Sequence, residues 1–359
     1  MTGDVVRLAC LALMFGLAAV PAAAEEFYGP LRIRDMGPFQ ILRLNMLPDH
    51  ALAPSAGRVG LEFQVSHSNT FVMDTDIHAY LERRGARGEI GPRDVTAIAA
   101  LGEDTFLFDG ELGYAKATGH YAFTDRLSGY VSVPFHYFGG GYFDSAIENF
   151  HDMFGFDSFG REYISRNDFQ AVATIDGETF ALLERPTSGG IGDPVLGLRY
   201  YIPLRNHSAV TFELAHKFAF QDPDKFRTTG SDDSGAQISW HVHGLKNSFY
   251  TSVAVVRTGD AEPFPQFTRH VIPSVNLAWE RHLLDGVNVI FQVNAARSLF
   301  EKGDPELTAN VYQASLGLRH RAGRFVWSYA LTENLVNFNN TADLGFHVGF
   351  AWMPEVDGH

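Results

Sequence analysis

Long segments of this chain alternate apolar and polar side chains with a period of two residues. The last of them, residues 342–352, has Leu344, Phe346, Val348 and Phe350 at one parity, with small or polar residues between them. Successive side chains of a β-strand point to opposite faces of the sheet, so this pattern predicts a strand with one apolar and one polar face. The alternation recurs along the chain, in residues 126–138, 208–218, 268–281, 288–297 and 324–335.

The connections between these segments alternate in length. Short ones fall at residues 124–125, 203–206, 244–247, 284–286 and 322–323, and long ones at 73–105, 139–189, 220–234, 257–268, 298–307 and 336–342. All short connections would then lie at one end of the sheet, which is typical of transmembrane barrels with periplasmic turns and external loops. We therefore predict an all-β fold, a transmembrane antiparallel β-barrel of about 12 strands, with a long external loop that carries a short helix.

The first residues have the pattern of a secretory signal peptide. Arg7 precedes an apolar run at residues 8–20, and small residues precede Glu25. The run is too short to cross a bilayer as a helix, so we expect export and cleavage after Ala24, with an uncleaved anchor as the alternative. Cleavage would remove the only cysteine, Cys10, which lies inside the apolar run and is therefore badly placed for a lipoprotein site.

These boundaries divide the chain into three parts. We predict a signal peptide at residues 1–24, an N-terminal periplasmic or plug segment at 25–57 and a β-barrel domain at 58–353. The expected location is the cell outer membrane of a Gram-negative bacterium, with outer-membrane lipid as partner of the apolar faces. The formal net charge is −14 and there is no basic tract, which argues against nucleic acid as a partner. The sequence predicts no cofactor and defines no oligomeric state.

The longest connection, residues 139–189, concentrates ionisable side chains. Residues 144–154 have the spacing of a short amphipathic helix, on which Glu148 and His151 would share one face. The candidate ligand-binding or gating residues are Asp144, Glu148, His151, Asp152, Arg161 and the strand residue Arg199. The alternative is that these groups only anchor the loop to the barrel by hydrogen bonds.

Several charged residues fall at the polar parity of the predicted strands. They are Glu111, Arg199, Glu213, Lys217, Glu280 and Arg319. A polar lumen tolerates such charges and a lipid-facing surface does not, so we expect all of them to point inward and to form a cross-lumen network. A barrel of this size encloses more space than its own side chains fill. The lumen must therefore conduct, hold a ligand or be plugged, and residues 139–189 are the first candidate plug.

The central loop also resembles a known family. Residues 144–148 and 150–155, followed by Gly160-Arg161, are similar to a recurrent block of an uncharacterised bacterial family, the domain of unknown function 3187. The glycine-containing segments at 37–38, 109–111, 139–141, 189–194 and 230–231 fit the same family. The resemblance covers nearly all of the chain after the signal peptide and implies an outer-membrane β-barrel. It implies no activity.

Other candidate sites are weaker. His67-Ser68-Asn69 is similar to the catalytic residues of outer-membrane phospholipases, but consecutive strand residues point to opposite faces, so His67 and Ser68 cannot pair as base and nucleophile. His241 and His243 would share a face without an evident third metal ligand. The acidic residues of the loop around 222–233 lack the pattern of a calcium loop.

Three hypotheses for function remain. The first is passage or binding of a small molecule of unknown identity, gated by loop 139–189. The second is an outer-membrane lipid-modifying enzyme, and the third is a non-catalytic surface or scaffold protein. Inward charges without a nucleophile–base pair favour the first over the second.

Overall fold

The computed structural model describes residues 26–48, 55–102, 104–155, 160–185, 187–262, 267–336 and 340–352. The predicted signal peptide lies outside these residues. The strands are β1 (Val59–Met73), β2 (Thr105–Ala122), β3 (Leu127–Gly139), β4 (Gln170–Ile175), β5 (Glu178–Leu182), β6 (Gly189–Ile191), β7 (Val195–Pro203), β8 (Ser208–Lys217), β9 (Asp233–His243), β10 (Asn247–Thr258), β11 (Val271–Leu284), β12 (Val287–Ala296), β13 (Val311–Ala322), β14 (Phe325–Asn334) and β15 (Leu344–Trp352). The helices are α1 (Thr75–Arg84), α2 (Pro92–Ala99), α3 (Asp144–Phe154) and α4 (Pro305–Thr308).

Twelve of these strands close into an antiparallel barrel, which confirms the predicted fold class. Consecutive long strands pair as neighbours, and β1 pairs with β15 to close the ring, with Leu61 opposite Trp352 and Asn69 opposite Leu344. The remaining strands belong to the long connection after β3. The β4–β5 hairpin extends the wall by pairing with residues 105–109 of β2, and β6 pairs with the end of β3.

The connections lie at two ends, as predicted from their lengths. The strand pairs β2–β3, β7–β8, β9–β10, β11–β12 and β13–β14 are joined by short turns at one end, called here the short-turn end. All the longer connections lie at the other end, the long-loop end. Because the ring contains no unpaired edge between its main strands, each long strand has a hydrogen-bonded neighbour on both sides.

The outer surface of the barrel is apolar and aromatic. Phenylalanine side chains from strands all around the ring are exposed there, namely Phe63, Phe135, Phe212, Phe249, Phe291, Phe325 and Phe346. The opposite parity is polar and buried, and includes Ser66, Thr118, Gln237, Asn276, Gln292 and His347. Soluble monomers rarely expose a continuous apolar surface of this extent, whereas the hydrocarbon of a bilayer accepts it. The alternation predicted from the sequence therefore separates a lipid-facing wall from a polar lumen.

Residues 26–48, called here the inner segment, lie inside the barrel. The segment begins at the short-turn end, where the side chain of Asn288 donates to the carbonyl oxygen of Glu26 over 3.0 Å. It reaches the long-loop end at Asp35, which accepts a hydrogen bond of 2.7 Å from Thr341, and turns there through a 3-10 helix at Gln40–Leu42. It then descends along β9, where Gln237 donates to the carbonyl oxygen of Leu47 over 2.9 Å.

An apolar cluster closes the long-loop end above the polar lumen. Met36, Ile41 and Leu42 of the inner segment pack there against wall and loop residues that include Phe108, Phe169, Phe300 and Leu307. Phe169 and the inward residues of β4 come from the long connection after β3. The mouth is therefore covered jointly by the inner segment and by several external loops.

A second apolar cluster lies on the outside of the wall. β1 and β2 extend past their neighbours, and their outward residues Met73 and Leu107 pack against Ile77 and Leu81 of α1 and against other residues of that connection. Helix α1 begins after Asp74, whose carboxylate accepts from the main-chain N–H groups of Asp76 and Ile77. It ends at Gly85, which has a φ of +72° that glycine adopts without strain. The helices thus cover wall that would otherwise expose apolar side chains to water.

Candidate functional site

Two of the predicted lumen charges hold the start of the inner segment. Glu280 of β11 accepts hydrogen bonds from the main-chain N–H groups of Tyr28 at 2.9 Å and of Gly29 at 3.1 Å. Arg319 of β13 donates to the carbonyl oxygen of Pro30 at 2.6 Å and also to that of Tyr28. Both wall side chains are almost completely buried. An acidic and a basic wall residue therefore satisfy the donors and acceptors of one stretch of main chain.

A second group of charges holds the turn of the inner segment. Lys217 of β8 donates to the carbonyl oxygen of Leu42 at 3.2 Å and lies 3.3 Å from a carboxylate oxygen of Asp233. Asp233 also binds Arg43 at 3.0 Å and accepts from the main-chain N–H of Leu44 at 2.9 Å. The sequence interpretation assigned Asp233 to an acidic surface loop, but it is the first residue of β9 and fully buried. The sequence pattern could have identified Asp233 as an inward-facing strand residue, because it has the same parity as Gln237 and His241.

Arg199 and Glu213 form a pair within the wall. They lie opposite each other on β7 and β8, and their side chains are joined at 2.9 Å. The hydroxyl of Tyr130 donates to Glu213 at 2.6 Å, and the guanidinium of Arg199 lies 4.5 Å from the centre of the Tyr130 ring. The expected cross-lumen network is therefore replaced by pairs between neighbouring strands and by bonds to the inner segment, which occupies the space between the walls.

Glu111 is a correction to the predicted set of inward charges. Leu112 and Tyr114 take the inward parity of β2, so Glu111 points to the outside of the barrel. It is buried there under the start of the long loop, where it accepts from the main-chain N–H of Phe143 at 2.7 Å and lies 3.2 Å from Nε2 of His67. Because the loop covers this part of the wall, the charge meets hydrogen-bond donors rather than lipid.

The long loop is attached to the same outer surface. Arg161 donates to the side-chain oxygen of Asn69 at 2.8 Å and lies 3.2 Å from Asp343 and 3.5 Å from Asp144. Asp144 in turn accepts from the main-chain N–H of Asn167 at 2.9 Å. The polar groups around Arg161, called here the outer clamp, consist of Asn69, Asp144, Arg161 and Asp343. They lie on outward parities of β1 and at loop ends, and not at the mouth of the lumen.

The remaining candidates of the long loop do not join Arg199. Glu148 binds Arg166, with Nε at 3.0 Å, and also Arg87 of the first long connection. Asp152 is exposed to solvent, and the side chain of His151 lies outside the described residues. The structure therefore brings Asp144 and Arg161 together, places Glu148 in a separate pair of bonds, and leaves Arg199 in the lumen wall.

The expectation that residues 139–189 plug the lumen is wrong for the helical part of this loop. After β3 the chain turns outward, so that the ring of Phe143 lies 6.0 Å from the ring of the lipid-facing Phe346, and α3 begins there. Among the described residues of the loop, Phe169 and the β4–β5 hairpin return to the mouth. The inner segment occupies the lumen instead. It belongs to residues 25–57, for which the sequence left a periplasmic segment and a plug segment as alternatives.

The outer clamp contains carboxyl groups with shifted pKa values. Burial raises the pKa of Asp343 to about 6, although the neighbouring Arg161 opposes the shift. Burial also raises the pKa of Asp144. Burial acts in the same direction on Glu148, but the hydrogen bonds from Arg166 and Arg87 outweigh it and hold the pKa of that carboxyl below its ordinary value. The clamp and the Glu148 contacts therefore respond to different ranges of pH.

The weaker sequence candidates do not assemble into a reactive site. Ser68 is buried at the inward parity of β1 while His67 lies at the outward parity beside Glu111. His241 and His243 stack with ring centres 4.5 Å apart inside the lumen. Within the described ranges no group of three or more histidine, cysteine or acidic side chains could hold a metal ion.

Between the inner segment and the wall formed by β2, β3, β7 and β8 there is a cavity of about 50 Å³. Its lining includes Arg34 and Arg43 from the inner segment and Lys116, His136 and Glu213 from the wall. It is the polar space that the inner segment leaves inside the lumen at this side of the barrel.

Comparison with known proteins defines the family. The family described as "Protein of unknown function (DUF3187)" matches residues 90–353, which is most of the chain. The chain belongs to this family. No curated protein matches the sequence. The family match confirms the resemblance noted from the central loop.

A solved structure supports the same architecture. The COG4313 outer membrane channel from Pseudomonas putida F1 superposes with a TM-score of 0.53 at 11% identity, covering 86% of this chain and 99% of that one. The KdgM porin in complex with disordered oligogalacturonate gives a TM-score of 0.41 at 3% identity, covering 82% and 99%. At 11% identity the likeness to the COG4313 channel shows the fold alone, that of an outer-membrane barrel. Separately, none of the helices within the described ranges is long and apolar enough to span a bilayer.

Proposed function

We propose that this DUF3187 protein is an outer-membrane channel for a small molecule, and that the inner segment keeps it closed. The proposal rests on the contacts between the barrel wall and the inner segment. Glu280, Arg319, Lys217 and Asp233 bind mainly its main-chain N–H and carbonyl groups or its charged side chain Arg43. These four residues lie on β11, β13, β8 and β9.

These contacts can be replaced by contacts with water, so the inner segment can move out of the lumen. Each hydrogen bond contributes a net 0.5–1.5 kcal/mol or so, because water can replace either partner. A lumen lined by charges would be hydrated after the segment has left, whereas an apolar lumen would resist filling with water. Buried charges are an expensive way to build a permanent core, so their presence in the wall favours a lumen that is wet in another state.

We assign the gate to the inner segment rather than to loop 139–189. The loop contributes Phe169 and the β4–β5 hairpin to the apolar cover of the mouth, and its helix α3 lies outside the wall. The inner segment runs through the lumen from the short-turn end to the long-loop end and returns as far as Leu47, beside Gln237 of β9. Displacement of the segment would therefore change the cross-section along the whole channel.

The proposed location and orientation follow from the fold together with the N-terminal sequence. We infer a signal peptide at residues 1–24 with cleavage after Ala24, a plug segment at 25–57, the barrel domain at 58–353 and a Gram-negative outer membrane. The short-turn end would face the periplasm. Glu26 lies at that end beside Asn288, so an N-terminus released after export would enter the lumen from the periplasmic side.

A disulfide tether tests the gate directly. A Cβ atom built on Gly235 of β9 would lie 2.9 Å from Cγ of Met46, and the three atoms nearest to it all belong to side chains of Met46 and Leu44. This places cysteines at the two positions near the usual Cβ–Cβ separation of about 3.8 Å. The variant Met46→Cys with Gly235→Cys should conduct like the parent in planar bilayers when reduced and lose its openings when oxidised. Gly235→Cys alone should not respond to the oxidant.

Deletion of residues 26–48 provides the complementary measurement. The folded deletion variant, identified by its heat-dependent mobility on a denaturing gel, should show a raised and continuous conductance. Replacement of residues 145–158 by a short Gly-Ser linker should leave conductance unchanged, since α3 begins outside the wall. The side chains of Asp144 and Arg161, which lie 3.5 Å apart, would still hold the two ends of the linker together. Equal conductance of the oxidised and reduced tether variants would show that the inner segment is not the gate.

The second candidate function is a non-catalytic surface or scaffold protein. The observation that favours it is the apolar cluster at the long-loop end, in which inner segment and loops pack as in a permanent core. A surface or scaffold role predicts that the folded variant without residues 26–48 does not conduct. For the lipid-modifying enzyme, His67 and Ser68 lie on opposite faces of β1, and this geometry does not support catalysis.

A further inference from the structure

The cavity beside the inner segment carries more positive than negative charge. Five cationic side chains line it, Arg32, Arg34, Arg43, Lys116 and Lys217, against two carboxylates, Asp193 and Glu213. Three of these cations have carboxylate partners. Arg32 lies 3.2 Å from Glu62, and both Arg43 and Lys217 contact Asp233. Glu213 is engaged by Arg199 of the wall. The remaining two cations, Arg34 and Lys116, form no ion pair with a carboxylate among the described residues.

Lys116 is the side chain that points to a ligand. It occupies the inward parity of β2, between Gln64 of β1 and Pro134 of β3, and retains only 6% of its exposure. None of the described residues forms a hydrogen bond or an ion pair with its ammonium group. A buried ammonium group without a partner is costly, and proteins normally pair it.

Other donors converge on the same cavity. Arg34 donates to the carbonyl oxygens of Gln40 and Arg43 and lies 4.4 Å from the centre of the Tyr114 ring, without a carboxylate in contact among the described residues. Nε and Nη2 of Arg43 are buried and lack a hydrogen-bond partner there, and so does Nδ1 of His136. The cavity therefore presents unused donors from both the inner segment and the wall.

We propose that this cavity binds a small oxyanion, a carboxylate or a phosphate, with Lys116 as its principal contact. The ammonium group of Lys116 would bind one oxygen, and Arg34 and Arg43 would bind the others from the inner segment. The inference deepens the proposed function, on which it rests for the idea that the bound anion is also the molecule that passes. The site itself lies between the inner segment and the barrel wall, so a bound anion would contact both.

Equilibrium binding to the detergent-solubilised full-length protein tests the site. Calorimetric titrations with inorganic phosphate and with succinate, at an ionic strength held constant with chloride, should show saturable binding of at least one of them. Binding of phosphate alone would identify a phosphate-bearing ligand, and binding of succinate alone a carboxylate. If neither anion binds, the inference is overturned.

Matched variants locate the binding. Lys116→Met keeps the apolar stem and removes the charge, and should weaken the affinity at least tenfold. Lys225→Gln removes a charge from an exposed loop residue and should change nothing. Arg34→Gln lies outside the barrel strands and should weaken binding as well, which keeps the test decisive if Lys116→Met does not fold. Parental affinity in both Lys116→Met and Arg34→Gln would overturn the assignment.

Flux separates the two proposals. Proteoliposomes loaded with the radiolabelled anion that binds should release it faster from the deletion variant without residues 26–48 than from the parent. Binding without release would leave the site in place and overturn the channel function. Ionic conductance without binding of phosphate or succinate would leave the channel in place and overturn the oxyanion site.

Discussion

Glu280 of the barrel wall accepts a hydrogen bond of 2.9 Å from the main-chain N–H of Tyr28, at the start of the inner segment. The same carboxylate also binds Gly29, Tyr250 and Asn288. In Glu280→Gln an amide NH₂ would face some of these donors and leave at least one of them unpaired, at a cost of about 1–3 kcal/mol. We therefore expect a roughly tenfold higher open probability in planar bilayers.

Glu213→Gln is the matched control for this change. Glu213 is equally buried and inward, but its contacts are Tyr130 and Arg199 of the wall. The control should destabilise the barrel without changing the open probability. A similar gain in opening for both variants would mean that general loosening of the wall, and not release of Tyr28, opens the channel.

The two faces of β12 should respond differently to the same substitution. Phe291 is 45% exposed near the middle of the strand, between Trp279 and Leu316 of the neighbouring strands. Asn294 has the inward parity. Phe291→Arg should lower the free energy of unfolding by about 2–4 kcal/mol in lipid, as expected for a cation near the bilayer midplane. Asn294→Arg should lower it far less, as measured by urea denaturation in liposomes. Equal losses would assign the two faces to the same environment.

The parity of the strands was predictable because every long strand meets two different solvents. Phe346 and Trp327 have the outward parity and Glu280 and His347 the inward one, as the alternation indicates. Closure of the ring was predictable for a related reason, since alternating short and long connections leave few topologies. The path of the inner segment was not predictable, because a segment that follows the wall through side-chain contacts needs no periodicity of its own.

Cysteine labelling on intact cells should separate the two ends of the barrel. Single cysteines replacing Asp224 or Asp260, both exposed in long connections, should react with a membrane-impermeant maleimide. Cysteines replacing Asp125, Asn206 or Lys246 in the short turns should react only after the outer membrane has been permeabilised. Labelling of a short turn from outside would reverse the proposed orientation.

Candidate residues were harder to place than strands. The clustering of Asp144, Glu148 and Arg161 in one loop was visible in the sequence, but the direction of the loop was not. It depends on how far β1 and β2 extend past their neighbours, which carries outward residues such as Phe71 and Asn69 beyond the lipid, where loop residues bury them. The same extension explains Glu111, because an outward charge is acceptable where a loop supplies hydrogen bonds and the bilayer has ended.

The outer clamp should weaken as the pH rises from about 4 to about 6. Burial raises the pKa of Asp343 to about 6, so the attached loop binds a proton more tightly than a detached loop with a solvated carboxyl group. Attachment is then strongest below the ordinary pKa of an aspartate, and its stability falls with rising pH until Asp343 is ionised in both states. Asp144, whose pKa burial also raises, acts in the same direction. Because the Asp343 side chain keeps 29% of its exposure, we expect a loss of only about 1–2 kcal/mol.

Hydrogen exchange of residues 140–164 at pH 5 and pH 7, corrected for intrinsic rates, measures this effect. Protection should be lower at pH 7, and Asp343→Asn should reduce the difference, because an asparagine keeps an acceptor for the main-chain N–H of Phe71 but does not ionise. Glu148 should not contribute in this range, since Arg166 and Arg87 hold its pKa below the ordinary value and it stays ionised at both pH values. Higher protection at pH 7 would mean that the ion pair between Arg161 and Asp343 outweighs the burial of the carboxylate.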